Sequence, residues 1–341
     1  AQFLYVGTAT GREANLVPRA GVPFVTISSG GVINLSAAQK IKGGLKAAKG
    51  VLDSLGHIRR FKPDVVVGTG GFVSGPVLLA ARLSRRPVVI QEQNAFPGVT
   101  NRLAARWARA VFVPYDEARQ HFPPGAPLLI VGNPVRPDVA KATREAGRKA
   151  FGYGEDDQVL VVMGGSGGAR DFNKAVVAAV KLLMPQLPAL RVLHVSGERY
   201  LQQVEEAYGK MPGSADTDRV TILPYLHNMP EAYAAGDAGV FRSGAITLAE
   251  IAVQALPSVL IPSPNVTHNH QEWNARTLEK RGAALVVREA EMTAELLADR
   301  LKSVLTDTAR AGAMRQALKQ VAQPVAGRAI AEAIMEVARR G

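Results

Sequence analysis

Short apolar runs recur along the chain at Val65–Val67, Val88–Ile90, Val111–Val113, Leu128–Val131, Val159–Met163, Val192–Val195, Val220–Leu223, Gly239–Phe241 and Val259–Ile261. They are rich in β-branched residues and show no polar alternation, as expected of parallel strands buried on both faces. Stretches of about 10–15 residues with helical periodicity separate most of them. Strand and helix in alternation predict a doubly wound α/β protein. The chain opens on one more run, Gln2 to Val6. An opening inside a strand predicts that further residues precede Ala1.

The segment Gly132-Asn133-Pro134-Val135-Arg136-Pro137 interrupts the pattern with two prolines and a glycine. The next long helical pattern begins at about Ala140, and a fresh strand starts at Val159. We therefore expect an N-terminal domain over 1–133 and a C-terminal domain over 134–326. The two share one architecture without a strict sequence repeat. A last helix, from about Gly327 to Arg340 within 327–341, has no strand after it and is expected to pack back on the first domain.

The 341 residues agree with two domains. The absence of cysteine excludes disulfides, thiolate-held zinc and a thiol nucleophile. No apolar run reaches the roughly 20 residues of a spanning helix. No signal-peptide pattern is visible, so a reducing cytoplasm is the expected setting. The net charge of +12 is uneven: residues 1–133 carry +10 and the remainder +2. Such asymmetry points to an anionic surface or polymer as partner of the first half.

Two strand–glycine-loop–helix units stand out. One, VVVGTGGFVSGP, holds Gly68, Gly70, Gly71 and Ser74; the other, VLVVMGGSGGARDFN, holds Gly164, Gly165, Ser166 and Gly167. Glycines at a strand's carboxyl end let the backbone approach a phosphate, and the next helix offers free N–H groups to an anion. Neither loop matches G-x-G-x-x-G in a dinucleotide setting or G-x-x-x-x-G-K-[ST]. One such turn is often only a tight connection. Two, in two similar domains, favour a phosphate-bearing ligand. A third segment, FRSGAITLAE, has a turn at Ser243-Gly244, a helix from near Ala245 and Glu250 about one and a half turns in. A carboxylate there can accept two hydrogen bonds from a vicinal diol, although a glutamate early in a helix also suits the helix dipole.

Taken together, GTGGFVSGP, QEQNAFPGVTNR, VGNPVR, GGSGGARDFN, FRSGAITLAEI and HNHQEWNARTLEKRGAA resemble the MurG family, in the family's order, from about Tyr5 to Ala284. The resemblance implies a GT-B type α/β fold, with two Rossmann-like domains facing a cleft. It also implies inverting transfer of N-acetylglucosamine from UDP-N-acetylglucosamine to lipid I, giving lipid II in peptidoglycan synthesis. No cofactor and no tightly held metal are implied. On the donor side, Ser166 would meet the nucleotide diphosphate and Arg136 would sit near the donor. The backbone of Leu226 would hold the uracil edge. Ala245, Ile246 and Thr247 would meet phosphates, with Leu248 and Ala249 in the same segment. Glu250 would hold the ribose hydroxyls, and Gln271 sugar hydroxyls. Asn94 would face the cleft from the N-terminal domain. Helix N-termini and an arginine suit two phosphate charges, and stabilise the charge that develops on departing UDP.

The family's opening loop, of the type GGTGGHxxP, has no counterpart here. Gln91 stands at a position that is often His, and Gly167 stands for the usual Gln. No catalytic base emerges. Glu92, at a strand end beside Asn94, is a weak candidate. The six histidines at 57, 121, 194, 227, 268 and 270 form neither a triad nor a metal pattern, and His268 and His270 are expected in a polar loop. Lys40, Lys42, Lys46 and Lys49 punctuate an amphipathic stretch with Ile41, Leu45 and Leu52. That face would lie on the anionic cytoplasmic leaflet, making the protein peripheral, although an ordinary solvated lysine face also fits. No RNP-like or zinc-finger motif supports nucleic acid as the anionic partner. Two rivals stay open: another GT-B nucleotide-sugar enzyme, such as an epimerase or lipid-sugar transferase, and a non-catalytic UDP-sugar-binding membrane module.

Overall fold

The computed structural model describes residues 1–11, 13–30, 37–165, 167–209 and 218–340, without the side chains of 37–42. The chain divides into two compact units, Ala1–Val131 with Arg328–Gly341, and Gly132–Gly327.

The first unit runs β1 (Tyr5–Gly7), α1 (Glu13–Arg19), β2 (Phe24–Thr26), α2 (Ala37–Phe61), β3 (Val66–Gly68), α3 (Gly71–Leu83), β4 (Val88–Gln91), α4 (Val99–Ala104), β5 (Ala110–Val113) and β6 (Leu128–Ile130). Strands β3-β4-β5-β6 form a parallel sheet in that order, and β1 pairs with β2 in a separate parallel pair. Side chains alternate across the sheet. Val88, Ile90, Val111 and Val113 pack with Leu78, Ala80 and Ala81 of α3. Val89, Ala110 and Phe112, on the other face, pack with Ile330, Ala333, Ile334 and Val337 of the chain's last helix, Ala326–Arg340. Cover on both faces is why β4 and β5 read as continuous apolar runs. The edge strand β6 departs from that expectation, because Leu129 and Ile130 are exposed.

The second unit runs α5 (Pro137–Lys141), α6 (Arg144–Phe151), β7 (Gln158–Met163), α7 (Arg170–Leu183), β8 (Leu190–Val195), α8 (Leu201–Gly209), β9 (Val220–Leu223), α9 (Met229–Ala235), β10 (Ala238–Phe241), α10 (Ala245–Val253), β11 (Ser258–Leu260), α11 (His270–Lys280), β12 (Leu285–Val286), α12 (Ala294–Thr306) and α13 (Thr308–Val321). The last helix of the chain is α14. The six parallel strands lie in the order β12-β11-β10-β7-β8-β9. Counted within the unit this is the 3-2-1-4-5-6 order of a doubly wound dinucleotide-type sheet, whose order reverses between β7 and β10.

Three local differences from the sequence pattern have physical causes. The helix expected from about Ala140 is two helices, because Thr143 turns extended and its side chain caps Ala146 N at 3.2 Å. The opening strand is Tyr5–Gly7 rather than Gln2–Val6, set by pairing with Phe24–Thr26. Strands β2 and β12 are three and two residues long, too short to show a period.

Gly147 marks the tightest helix contact. A Cβ there would fall 2.4 Å from Glu231 O and 2.7 Å from Ala235 N, so α6 packs directly on the backbone of α9. Overpacking of this kind costs about 1–3 kcal/mol. Gly147→Ala is expected to lower the melting temperature of the second unit by several degrees in scanning calorimetry. An unchanged melting temperature would show that the two helices part freely.

Candidate functional site

Because helices cover both sheet faces, the groups open to a ligand are those at the strand ends. The carboxyl ends of the second sheet border a pocket of about 850 Å³. Its wall is drawn from the turn after β7 (Gly164, Gly165, Gly168), the ends of β8 and β9 (Val195, Pro224), the residue after β10 (Arg242) and the loop after β11 (Ser263, Asn265). This is the switch-point position where ligands of open α/β sheets bind.

Helix α10 starts at the pocket. Its cap residue is Gly244, no side chain caps it among the described residues, and the first-turn N–H groups of a helix suit an anion. Ile246, Thr247 and Glu250 lie on the pocket side of this helix. Glu250 is only 4% exposed. Its carboxylate accepts from the Tyr233 hydroxyl at 3.1 Å and pairs with Arg136 Nε at 3.5 Å. Burial raises its pKa above the ordinary 4.5, and the Tyr233 hydrogen bond and Arg136 oppose that rise. Asn133, of the same proline-rich segment as Arg136, donates to Ala245 O. The Asn133-to-Arg136 turn is thereby tied to the start of α10.

Arg242 supplies a second positive group. It is 9% exposed and pairs with Glu289. It also donates to Ile261 O and Pro262 O at 3.2 and 3.3 Å, and its guanidinium lies 5.3 Å over the Phe172 ring. Gln271, in the first turn of α11, accepts from Ser263 N at 2.9 Å. Tyr225 and His227 meet edge to face at 4.8 Å on either side of Leu226 in the sequence.

Of the residues singled out from the sequence, Arg136, Gly164, Gly165, Leu226, Ile246, Thr247, Glu250 and Gln271 are gathered in this pocket. Leu248 is corrected. It is fully buried, because helical spacing turns it away from the face shared by Ile246, Thr247 and Glu250 and into the core. Ala245, Ala249 and Gly167 do not line the pocket among the described residues. Ser166 lies outside the described residues. His270 opens helix α11 rather than sitting in a loop, while His268 falls in the turn before it with φ of 55°. Among the described residues, no group of three metal-ligating side chains forms. Sequence reasoning missed Tyr233, Asp171, Tyr200 and Glu289, which line the pocket from separate elements without a shared motif. Arg242 was in view, directly after a strand, but its pairing with Glu289 was not.

The remaining residues belong to the first unit. Gly70 and Gly71, with φ of 91° and 78°, make the turn between β3 and α3. A Cβ on Gly68 would fall 2.7 Å from Leu78, so this glycine serves close helix–sheet packing. The Ser74 hydroxyl donates to Gly70 O at 2.6 Å. Glu92 is 2% exposed and accepts four N–H groups, from Asn94 N, Asn94 Nδ2, Gly98 N and Asn101 Nδ2, at 2.9, 3.2, 3.0 and 2.8 Å. Both carboxylate oxygens thus pin the loop after β4, the geometry of a loop clamp rather than of an open base. Gln93 Nε2 and Thr100 Oγ1 tie this loop and α4 to Thr69 O and Gly71 O at 3.1 and 3.3 Å. On α2, Lys46 and Lys49 are exposed beside Leu45 and Leu52, which are 69% and 68% exposed. The side chains of Lys40 and Lys42 lie outside the described residues. Among the described residues no helix is long and apolar enough to cross a membrane.

Comparison with known proteins agrees with this geometry. A UDP-N-acetylglucosamine--N-acetylmuramyl-(pentapeptide) pyrophosphoryl-undecaprenol N-acetylglucosamine transferase of Symbiobacterium thermophilum is 65% identical over 340 residues, covering 100% of this chain and 89% of the relative. The crystal structure of Acinetobacter baumannii MurG superposes with a TM-score of 0.80 at 28% identity, over 98% of this chain and 91% of that one. A UDP-GlcNAc 2-epimerase from Neisseria meningitidis, bound to UDP-GlcNAc, shares the fold alone. Its TM-score is 0.69 at 12% identity, over 98% of this chain and 91% of that one. The two parallel α/β units are those of the GT-B fold. Residues 1–113 match the glycosyltransferase family 28 N-terminal domain and residues 159–337 its C-terminal domain, and the chain belongs to that family.

Proposed function

We propose that this glycosyltransferase moves N-acetylglucosamine from UDP-N-acetylglucosamine to lipid-linked N-acetylmuramyl-pentapeptide at the cytoplasmic face of the membrane. The observation that carries the reading is the pocket at the switch point, where an uncapped helix start, Arg136 and buried Glu250 converge. The relative at 65% identity bears the same activity in its name.

In this reading the donor diphosphate meets the free N–H groups of α10, with Arg136 and Arg242 supplying positive charge. The Glu250 carboxylate receives the ribose hydroxyls, and the Leu226 backbone meets the uracil. Gln271 serves sugar hydroxyls, since an amide both donates and accepts. Ser166, in the Gly-rich turn, meets the diphosphate. The acceptor hydroxyl oxygen attacks the anomeric carbon and yields its proton to a base. The bond to the β-phosphate oxygen breaks with its electron pair on UDP. One displacement inverts the anomeric centre. Fixed N–H dipoles and guanidinium groups stabilise the charge gathering on UDP without rearranging. In the first unit, Asn94 serves the donor, and the glycine turn of Gly70, Gly71 and Ser74, seated on the close packing at Gly68, serves a phosphate or the acceptor. The lysines of α2 meet the anionic leaflet, with Leu45 and Leu52 as the apolar component.

Calorimetric titration is expected to show saturable binding of UDP-N-acetylglucosamine in preference to UDP-glucose. Glu250→Gln should weaken donor affinity about tenfold or more, since charge-assisted hydrogen bonds each contribute about 1.5–3 kcal/mol. The pH dependence has a definite sign. As pH falls through the raised pKa of Glu250, the carboxylate gains a proton and donor affinity drops, starting above the ordinary value of 4.5. The Glu250→Gln variant should lack this acidic limb. Equal binding by wild type and variant across the pH range would remove Glu250 from the donor site.

Pelleting with vesicles containing phosphatidylglycerol tests the membrane face. Binding should fall as salt rises, and Lys46→Gln with Lys49→Gln should reduce it roughly thirtyfold at about 1 kcal/mol per lysine. Salt-independent pelleting would sink this assignment.

A further inference from the structure

Beneath the Gly-rich turn of the second unit runs a buried polar chain that the reaction itself does not use. Asn173, His194, Ser196 and Tyr208 are 3%, 0%, 0% and 3% exposed. Asn173 Nδ2 lies 2.9 Å from Ser196 O, His194 Nε2 lies 3.2 Å from Asn173 Oδ1, and His194 Nδ1 lies 3.0 Å from the Tyr208 hydroxyl. A carbonyl oxygen only accepts, so the nitrogen of the Asn173 amide must face Ser196 and its oxygen must face His194. The proton of the imidazole is therefore on Nε2, which leaves Nδ1 to accept from the Tyr208 hydroxyl. The three contacts thus run in one direction, from Tyr208 through His194 and Asn173 to the Ser196 carbonyl. Burial holds His194 neutral, with its pKa pushed down to about 3.

The Ser196 end of this chain lies directly under the Gly-rich turn that borders the pocket. A Cβ on Gly168 would fall 2.2 Å from Ser196 O, and one on Gly197 would fall 2.6 Å from Gly168 N. The Gly-rich turn thus rests backbone to backbone on the end of β8, with Gly168 and Gly197 at φ of 67° and 84°. Gly168 N donates to Gly165 O at 3.0 Å and closes the turn. Gly164, Gly165 and Gly168 all line the pocket. The carbonyl on which the turn sits is the one that the Asn173 amide holds. Asn173 belongs to the first full turn of α7, with its N–H donating to Ala169 O at 2.9 Å. One side chain therefore joins the helix after the loop to the strand end beneath it.

We propose that Asn173 and His194 are positioning residues for donor binding: through the Ser196 carbonyl they set the height and angle of the Gly-rich turn that receives the nucleotide sugar. The donor identity rests on the function proposed above; the mechanical link does not. The Ser196 carbonyl gives the chain its direction, because it fixes the Asn173 amide, whose oxygen then takes the Nε2–H of His194. Tyr208, whose hydroxyl could donate or accept, donates to the Nδ1 that this tautomer leaves bare and so holds the far side of the ring.

The test uses the full chain labelled with 15N. Long-range proton–nitrogen correlation spectra are expected to show His194 with a protonated Nε2 and a bare Nδ1, unchanged from pH 5 to 9. A protonated Nδ1, or a titrating ring, overturns the proposal. Asn173→Ala should shift the backbone amide signals of Gly165 and Gly168 and weaken UDP-N-acetylglucosamine binding about tenfold or more in calorimetry. Tyr208→Phe, which removes only the hydroxyl on Nδ1, should keep the Nε2–H tautomer but free the ring, shifting the same glycine signals and weakening binding about threefold. Val180→Ala, a core change on α7, is the control for stability alone. It should lower the melting temperature while leaving donor affinity within about twofold of wild type. If Asn173→Ala leaves the glycine signals and the affinity unmoved, or Val180→Ala weakens binding as much, positioning is refuted. Where Asn173→Ala does not fold, Tyr208→Phe decides by the same readouts. If the wild type binds neither UDP-N-acetylglucosamine nor UDP, the proposed function fails, and the glycine signals alone decide the link.

Discussion

In the second unit both faces of the sheet are sealed by helices, and Val159 through Val162 and Val240 through Phe241 are removed from water. A strand in that position offers no side chain to a ligand, because each one points into packed helices. Only the strand ends are free, where glycine turns and helix starts replace side-chain packing. The reversal of strand order between β7 and β10 opens a crevice there. The position of the pocket follows from how the core is covered, and all its chemistry is assembled at that one edge.

That edge demands buried charge. Glu250 is a carboxylate largely out of water, and it persists because Arg136 and Tyr233 stand on its two oxygens. Arg242 sits against Phe172 and has its guanidinium divided between Glu289 and two carbonyls. Burying an ion without such partners costs several kcal/mol. The pairs therefore hold the groups in place before any ligand arrives, the condition under which fixed charges stabilise a transition state. The neutral chain from Asn173 to Tyr208 meets the same demand without ions, through three hydrogen bonds between buried groups.

The first unit solves a related problem differently. Glu92 is buried as deeply as Glu250, yet its partners are four N–H groups rather than a cation. All four come from the loop and helix that follow it. The carboxylate thereby organises a loop carrying Asn94, and cross-links from Gln93 and Thr100 extend that order to the glycine turn after β3.

Strands β4, β5, β7, β8, β10 and β11 were legible because each lies in a continuous apolar run, which here marks a strand covered by helices on both faces; β12 is too short to show one. The break at Gly132 to Pro137 was legible because proline and glycine act locally. Glycine turns, the start of α10 and Glu250 could be read for the same reason, since a strand end, a turn and a helix start are set by neighbours in sequence. Tertiary structure alone decided which of these meet. Leu248 and Glu250 are two residues apart, but helical geometry sends one into the core and the other to the pocket. Tyr233, Arg242 and Glu289 converge from three elements, and their contacts span distances in sequence that no periodicity encodes. Glu92 has the sequence context of a strand-end base, and only its four donors reveal a clamp. Local sequence sets backbone conformation and which residues seek burial; the partners of a buried polar group are chosen by packing, because many distant groups meet the same chemical need and the fold brings only some within reach.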